Sequence, residues 1–160
     1  MHITFIQTGG TIDKDYPKLI RGAGFEITTP AVARLMERLN PSFTYDIVPL
    51  LQKDSLELTD DDRGKIREVI LETAKTRFVI THGTDTMVET GKYLESIAGK
   101  TIILTGAMRP ERFANSDAPM NVGMALAGVQ TLPSGVYLAM HGILKSVGEI
   151  GRDMETGQFI

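Results

Sequence analysis

Five short apolar runs rich in β-branched residues are spread along the chain: "ITFIQ" (3–7), "YDIVPL" (45–50), "RFVIT" (77–81), "TIILT" (101–105) and "GVYLAM" (135–140). None alternates strictly between polar and apolar, which is how a strand covered on both faces reads. The intervals between them carry helical period instead. In "TDDDRGKIREVILETAK", Ile66, Val69, Ile70 and Ala74 share one face. Thr59 followed three residues on by Asp62 has the form of a capping box, and the acidic run 60–62 suits a helix N-terminus. "TTPAVARLMERLN" is expected to start a helix with Thr29 as N-cap and Pro30 in the first turn. Further helices are expected over 86–97 and 119–131. Strands alternating with helices predict an α/β fold, an open and mostly parallel sheet with helices on both faces, doubly wound. The segment "HGILKSVGEIGRDMETGQFI" (141–160) changes character, with short apolar pairs and a turn-like "ETG", and predicts a C-terminal β-hairpin added to the sheet.

No internal repeat or low-complexity linker divides the chain, so residues 1–160 are expected to form a single domain. A chain of this length can bury roughly two-thirds of its unfolded surface. With 17 Lys and Arg against 20 Asp and Glu, the net charge of −3 gives no footing for nucleic acid or an anionic membrane surface. The absence of cysteine excludes disulfides, thiolate metal sites and cysteine nucleophiles. No run of about 18 apolar residues is present, and "MHITFIQTGG" lacks the basic start and long apolar stretch of a signal peptide. A cytoplasmic protein is therefore expected. The initial methionine and the closing hairpin are what a complete short chain would show.

In open α/β sheets ligands bind beyond the carboxyl ends of the strands. The residues that follow each expected strand read "TGGTID" (8–13), "KDS" (53–55), "THGTDT" (81–86), "TGAMRP" (105–110) and "HG" (141–142). Gly9 and Gly10 allow tight turns and close approach to a ligand, after which Thr11 presents a hydroxyl. Thr84 follows Gly83 in the same kind of setting, with Asp85 beside it. A helix beginning near Thr86 would aim free N–H groups at the loop, where a carboxylate or oxyanion could sit. No phosphate-binding G-x-x-x-x-G-K-[ST] motif, dinucleotide fingerprint, G-x-S-x-G elbow or H-E-x-x-H motif is present. His82 and His141, even with Asp13 or Asp85, make a poor metal set, and neither a metal nor a cofactor is expected.

"TGGTID" and "THGTDTM" together resemble the two signature segments of the bacterial-type L-asparaginases, and "TGAMRP" and "SDAPMN" (116–121) resemble two more in the same order. The resemblance spans 3–160 and corresponds to the family's amino-terminal domain. It implies cofactor-free hydrolysis of a side-chain amide, asparagine to aspartate and ammonia. It implies Thr11 as the nucleophile that forms an acyl-enzyme, with Tyr16 of the active-site loop helping to activate it. Thr84 and Asp85 resemble the second half of the site, which a lysine completes in the family. Ser55 resembles the residue that holds the substrate α-carboxylate and Asp85 the binder of its α-amino group. Ala107 resembles the residue whose backbone meets the amide. Gly10, Asp54 and Gly83 complete the expected substrate-binding set. The partner implied is a small amino-acid amide, and a homodimer or larger homo-oligomer is implied as the assembly.

Three departures are visible. Arg152 stands where the family lysine is expected; it keeps the charge but cannot give up a proton, and Lys145 is the nearby alternative. Leu56 follows Ser55 where a polar residue is usual, and Glu57 follows it where a shorter polar residue is common. The family's carboxyl-terminal domain has no counterpart here. An amidohydrolase for a different aspartyl or glutaminyl amide, and a non-catalytic amino-acid-binding module, are the readings these departures favour.

Overall fold

A computed structural model describes residues 1–16 and 24–160. Its main sheet contains β1 (His2–Gly9), β4 (Thr44–Lys53), β5 (Arg77–Thr81), β6 (Thr101–Thr105), β7 (Gly135–Met140) and β8 (Ile143–Ser146), in the order β4-β1-β5-β6-β7-β8. All neighbours pair in parallel except β7 with β8. β2 (Lys14–Asp15) and β3 (Glu26–Ile27) form a separate antiparallel pair that no periodicity announced. Among the described residues four helices, α1 (Ala31–Leu39), α2 (Asp60–Leu71), α3 (Met87–Leu94) and α4 (Ala118–Thr131), connect the parallel strands.

Alternate residues of each strand face opposite ways, and both sides are covered. Val79 and Ile103 pack with α1 and α4, through Val32, Leu35, Val122 and Val129. Their neighbours Phe78, Ile80, Ile102 and Leu104 pack with α2 and α3, through Ile66, Ile70, Met87 and Leu94. This is why the central strands read as continuous apolar runs. β4 is the edge strand, and there Pro49 costs no ladder bond that a central strand would need.

The expected hairpin is present, and it begins earlier than the sequence suggested. Its two-residue turn is His141–Gly142, with φ of 51° and 80°, the backbone a tight primed hairpin turn requires. The "ETG" turn exists as well, closed by a bridge between Arg152 and Phe159. One helix start departs from expectation. Pro30, not Thr29, occupies the N-cap of α1 and makes no side-chain cap. The first N–H of that helix, on Ala31, instead donates to the carboxyl of Asp13 at 2.7 Å.

The capping box of α2 forms as read: Thr59 Oγ1 accepts from the Asp62 N–H at 3.3 Å, and the Asp62 carboxylate accepts from the Thr59 N–H at 3.1 Å. Lys53 and Lys65 also bind that carboxylate. Thr59→Ala is expected to lower the unfolding free energy by about 1 kcal/mol. Urea titration should show the midpoint shift with an unchanged slope; an unaltered midpoint would mean the box contributes nothing.

Candidate active site

The strand order reverses at β1, which lies between β4 and β5, and the crevice at such a switch point is where an open α/β sheet holds a ligand. Three loops leave the sheet there, and contacts of van der Waals closeness force them together. Gly9 and Gly10 have φ of 110° and 85°. A Cβ on Gly10 would lie 2.4 Å from Gly83, and one on Gly83 would lie 2.6 Å from the Ser55 side chain. A Cβ on Gly106 would meet the His82 carbonyl at 2.4 Å, which brings the loop carrying Ala107 against the same turn. The glycines are required because backbone, not side chain, fills the space between the loops.

Thr11 opens the short 3₁₀ turn Thr11–Asp13 and is partly exposed; Thr84 is nearly buried. Among the described residues neither hydroxyl is hydrogen-bonded. Ser55 starts the 3₁₀ turn Ser55–Glu57 and is buried. Its hydroxyl accepts the Asp85 N–H at 3.2 Å, and its carbonyl accepts the Thr86 hydroxyl at 2.7 Å. Thr86 therefore stands at the N-cap of α3 without capping it, and its hydroxyl ties two site loops together. Asp54 caps the same turn through the Leu56 N–H and is ion-paired with Lys14 at 3.1 Å. Burial works against the Asp54 charge, but the Lys14 ammonium and the Leu56 N–H outweigh it and hold the carboxyl below its ordinary range. Leu56 is 74% exposed and Glu57 is exposed.

Arg152 reaches this group and Lys145 does not. Arg152 Nη1 donates to the Thr84 carbonyl at 3.1 Å and to the Asp85 carboxylate at 2.7 Å, while Nε donates to the Gly157 carbonyl and the guanidinium lies over the Phe159 ring. Lys145 is exposed on the outer strand β8, opposite Leu138 and away from the loop end of the hairpin. Tyr16 is 70% exposed and its ring meets Phe25 at 5.0 Å; no hydrogen bond among the described residues joins it to Thr11.

His82 is fully buried in a chain of hydrogen bonds. Arg63 Nε donates to Thr90 Oγ1, whose hydroxyl reaches His82 Nε2 at 2.9 Å, and His82 Nδ1 donates to the Gly83 carbonyl at 2.7 Å. Burial pushes its pKa down to about 4, and the Arg63 charge adds to the effect. The neutral ring stiffens the turn beneath Thr84. Several residues that hold the site were not singled out from sequence. Asn121 donates to the Gly106 carbonyl at 3.0 Å, and Asp117 accepts the N–H groups of Met108 and Arg109. Lys14 belongs with them. Only the "SDAPMN" segment carried any signal for this set.

The fold is a doubly wound α/β sheet, and the loops at its switch point carry Thr11, Thr84, the buried Ser55 and an Asp85 held by Arg152. Residues 2–151 match the family described as asparaginase, N-terminal, and the chain belongs to that family. It is 26% identical over 97% of its length to a probable periplasmic L-asparaginase of Haemophilus influenzae. It is 27% identical over 79% of its length to a glutaminase-asparaginase of Acinetobacter glutaminasificans. These alignments cover 47% and 41% of the two relatives, so the chain spans less than half of each. The L-asparaginase I structure from Vibrio cholerae superposes with a TM-score of 0.84 at 25% identity, over 99% of this chain and 50% of that one. The thermostable L-asparaginase of Thermococcus kodakarensis gives 0.83 at 25% identity, over 95% and 48%.

Proposed function

We propose that this chain is an amidohydrolase that converts L-asparagine to L-aspartate and ammonia through an acyl-enzyme on Thr11. The observation that carries the reading is that the glycine turns carrying Thr11 and Thr84 abut at the switch point, with neither hydroxyl hydrogen-bonded among the described residues. The Thr11 oxygen attacks the amide carbon, the C–N bond breaks, and the hydroxyl proton ends on the nitrogen that leaves as ammonia. Water then cleaves the ester and restores the hydroxyl. Backbone N–H groups of the glycine turns suit the oxyanion, at about 3 kcal/mol per donor. A threonine hydroxyl is a weak nucleophile and needs an acceptor for its proton. Arg152 cannot be that acceptor, so this reading gives it the task of holding Thr84 and Asp85, with Asp85 binding the substrate α-amino group. Ser55, with Ala107 and the Gly10 and Gly83 turns, lines the substrate. The reading keeps Tyr16 as the residue that helps to activate Thr11.

A second reading has specific support. The Asp85 carboxylate is ion-paired with Arg152, and the exposed side chain beside Ser55 is the apolar Leu56. Both features favour an aspartyl or glutaminyl amide whose α-substituent is not a free ammonium. The reading also takes the protein to be a cytoplasmic homo-oligomer. Supporting self-association, α4 carries no charged residue, leaves Met120 78% exposed, and borders an open groove of about 800 Å³ shared with α1. Among the described residues no helix is long and apolar enough to cross a membrane.

Ammonia release at neutral pH from L-asparagine, L-glutamine, D-asparagine and N-acetyl-L-asparagine tests these readings, with Thr84→Ala as control. Turnover of L-asparagine that the control loses is the expected result. Preference for the acetylated amide would favour the second reading, and silence from folded protein would leave an amino-acid-binding module. Arg152→Lys places a group able to release a proton at the same point and is expected to raise kcat by about tenfold. An unchanged rate would show that proton acceptance at this position does not limit turnover.

A further inference from the structure

Three acidic side chains are buried among the described residues: Asp13, Asp62 and Glu111. Asp62 is bonded to Lys53 and Lys65, and Glu111 to Arg34 and Arg38. No cation among the described residues is bonded to Asp13. Its Oδ1 accepts the Ala31 N–H that opens α1, while its Oδ2 is buried without a hydrogen-bond partner. Its main chain is tied on both sides. The Asp13 N–H donates to the Gly10 carbonyl at 3.2 Å, and its carbonyl accepts the N–H and hydroxyl of Thr28, at 2.9 and 3.1 Å. The preceding Ile12 carbonyl accepts the Glu111 N–H at 3.1 Å. These bonds enclose the turn that begins at Thr11, and the side-chain bond to Ala31 anchors it to a helix whose Val32, Leu35 and Met36 are set in the core.

We propose that Asp13 is a positioning residue for Thr11: its buried carboxyl fastens the turn that carries the hydroxyl to the first backbone N–H of α1. The inference rests on the reading of Thr11 as nucleophile. The groups facing the carboxyl are Gln7 from β1, Arg34 from α1, which favours its charge, and Glu111 from the loop between β6 and α4, which opposes it. Arg38 offsets Glu111, and the Asp15–Arg112 pair lies on the outer side of the same turn. Burial dominates, and it pushes the Asp13 carboxyl up to about 7 against the Ala31 N–H and the Gln7 amide. The neutral acid places its proton on the otherwise partnerless Oδ2. Ionisation leaves a charged oxygen without a partner in a dry setting, which favours opening of the turn to water. The fastened form is therefore the one below about pH 7, and kcat is expected to fall as pH rises through that value.

The test is an amide NMR titration of the wild-type chain and of Asp13→Asn between pH 5.5 and 8.5, with ammonia assays on the same samples. The amides of Gly10, Thr11 and Ala31 are expected to move together in the wild type and to stay still in Asp13→Asn. Asp13→Ala is expected to lower kcat between about 10- and 100-fold with KM little changed, and Asp13→Asn, which keeps the acceptor for Ala31, to recover most of that loss. Should Asp13→Ala fail to fold, Asp13→Ser takes its place in the comparison. Motionless Gly10 and Thr11 amides in the wild type, or an alanine variant that melts earlier yet keeps kcat, would overturn the proposal. Titrating amides with no ammonia from any amide would sink the amidohydrolase reading alone.

Discussion

Thr11→Ala is expected to leave a folded protein without measurable ammonia release. Removing the covalent nucleophile of a hydrolase costs on the order of 10⁴- to 10⁶-fold in kcat. The fold has little to lose, because Thr11 is partly exposed and its hydroxyl bonds to no described residue. A surface change of this kind shifts stability by about 0.5 kcal/mol or less. The decisive pairing is a thermal melt that matches wild type and an ammonia trace that does not rise. Retained activity would move the nucleophile to Thr84, whose hydroxyl leaves the adjoining turn, and the same assay on Thr84→Ala would then decide between them.

Gly10→Ala is expected to damage fold and site together. At φ of 85° and ψ of −175° the backbone is in a region essentially reserved for glycine, and an alanine Cβ would be placed 2.4 Å from the Gly83 N and Cα. Both obstructing atoms are backbone, so no side chain can swing aside. That conformation costs a non-glycine residue about 1–3 kcal/mol and overpacking of this kind typically about 1–3 kcal/mol more. A drop of roughly 10 °C in melting temperature is expected for a chain of this size. Activity should disappear even below that melt, because relief of the clash separates the Thr11 turn from the Thr84 turn. Gly151→Ala is the matched control, since a Cβ there meets nothing within 4 Å. A Gly10 variant that melts like the control would show that the two turns are not packed as described.

The strands and helices were legible because their signals are local. Central strands such as Arg77–Thr81 and Thr101–Thr105 announced themselves through β-branched runs covered on both sides. The start of α2 was legible because Thr59 and Asp62 cap one another within four residues. The start of α1 was misread for the complementary reason: its cap comes from Asp13, 18 residues upstream, and local sequence carries no trace of that bond. The short β2–β3 pair was missed because two-residue strands have no period to detect.

The sequence by itself determined an α/β chain, the loops that follow its strands, and the threonine, glycine and aspartate content of those loops, since each depends on residues a few positions apart. It also carried the motifs that place the chain in the asparaginase family. The tertiary structure decided which of those groups meet. It chose Arg152 over Lys145 as the cation at Asp85, made Asp54 and Thr86 ties within the site, and set His82 as a buried neutral support. It also set the Asp13 carboxyl at the foot of the Thr11 turn, bonded to the Ala31 N–H and to no cation among the described residues. Those outcomes depend on hydrogen bonds between loops that the sheet order brings side by side, and on burial, which changes the charge of a group only after the rest of the chain has closed over it.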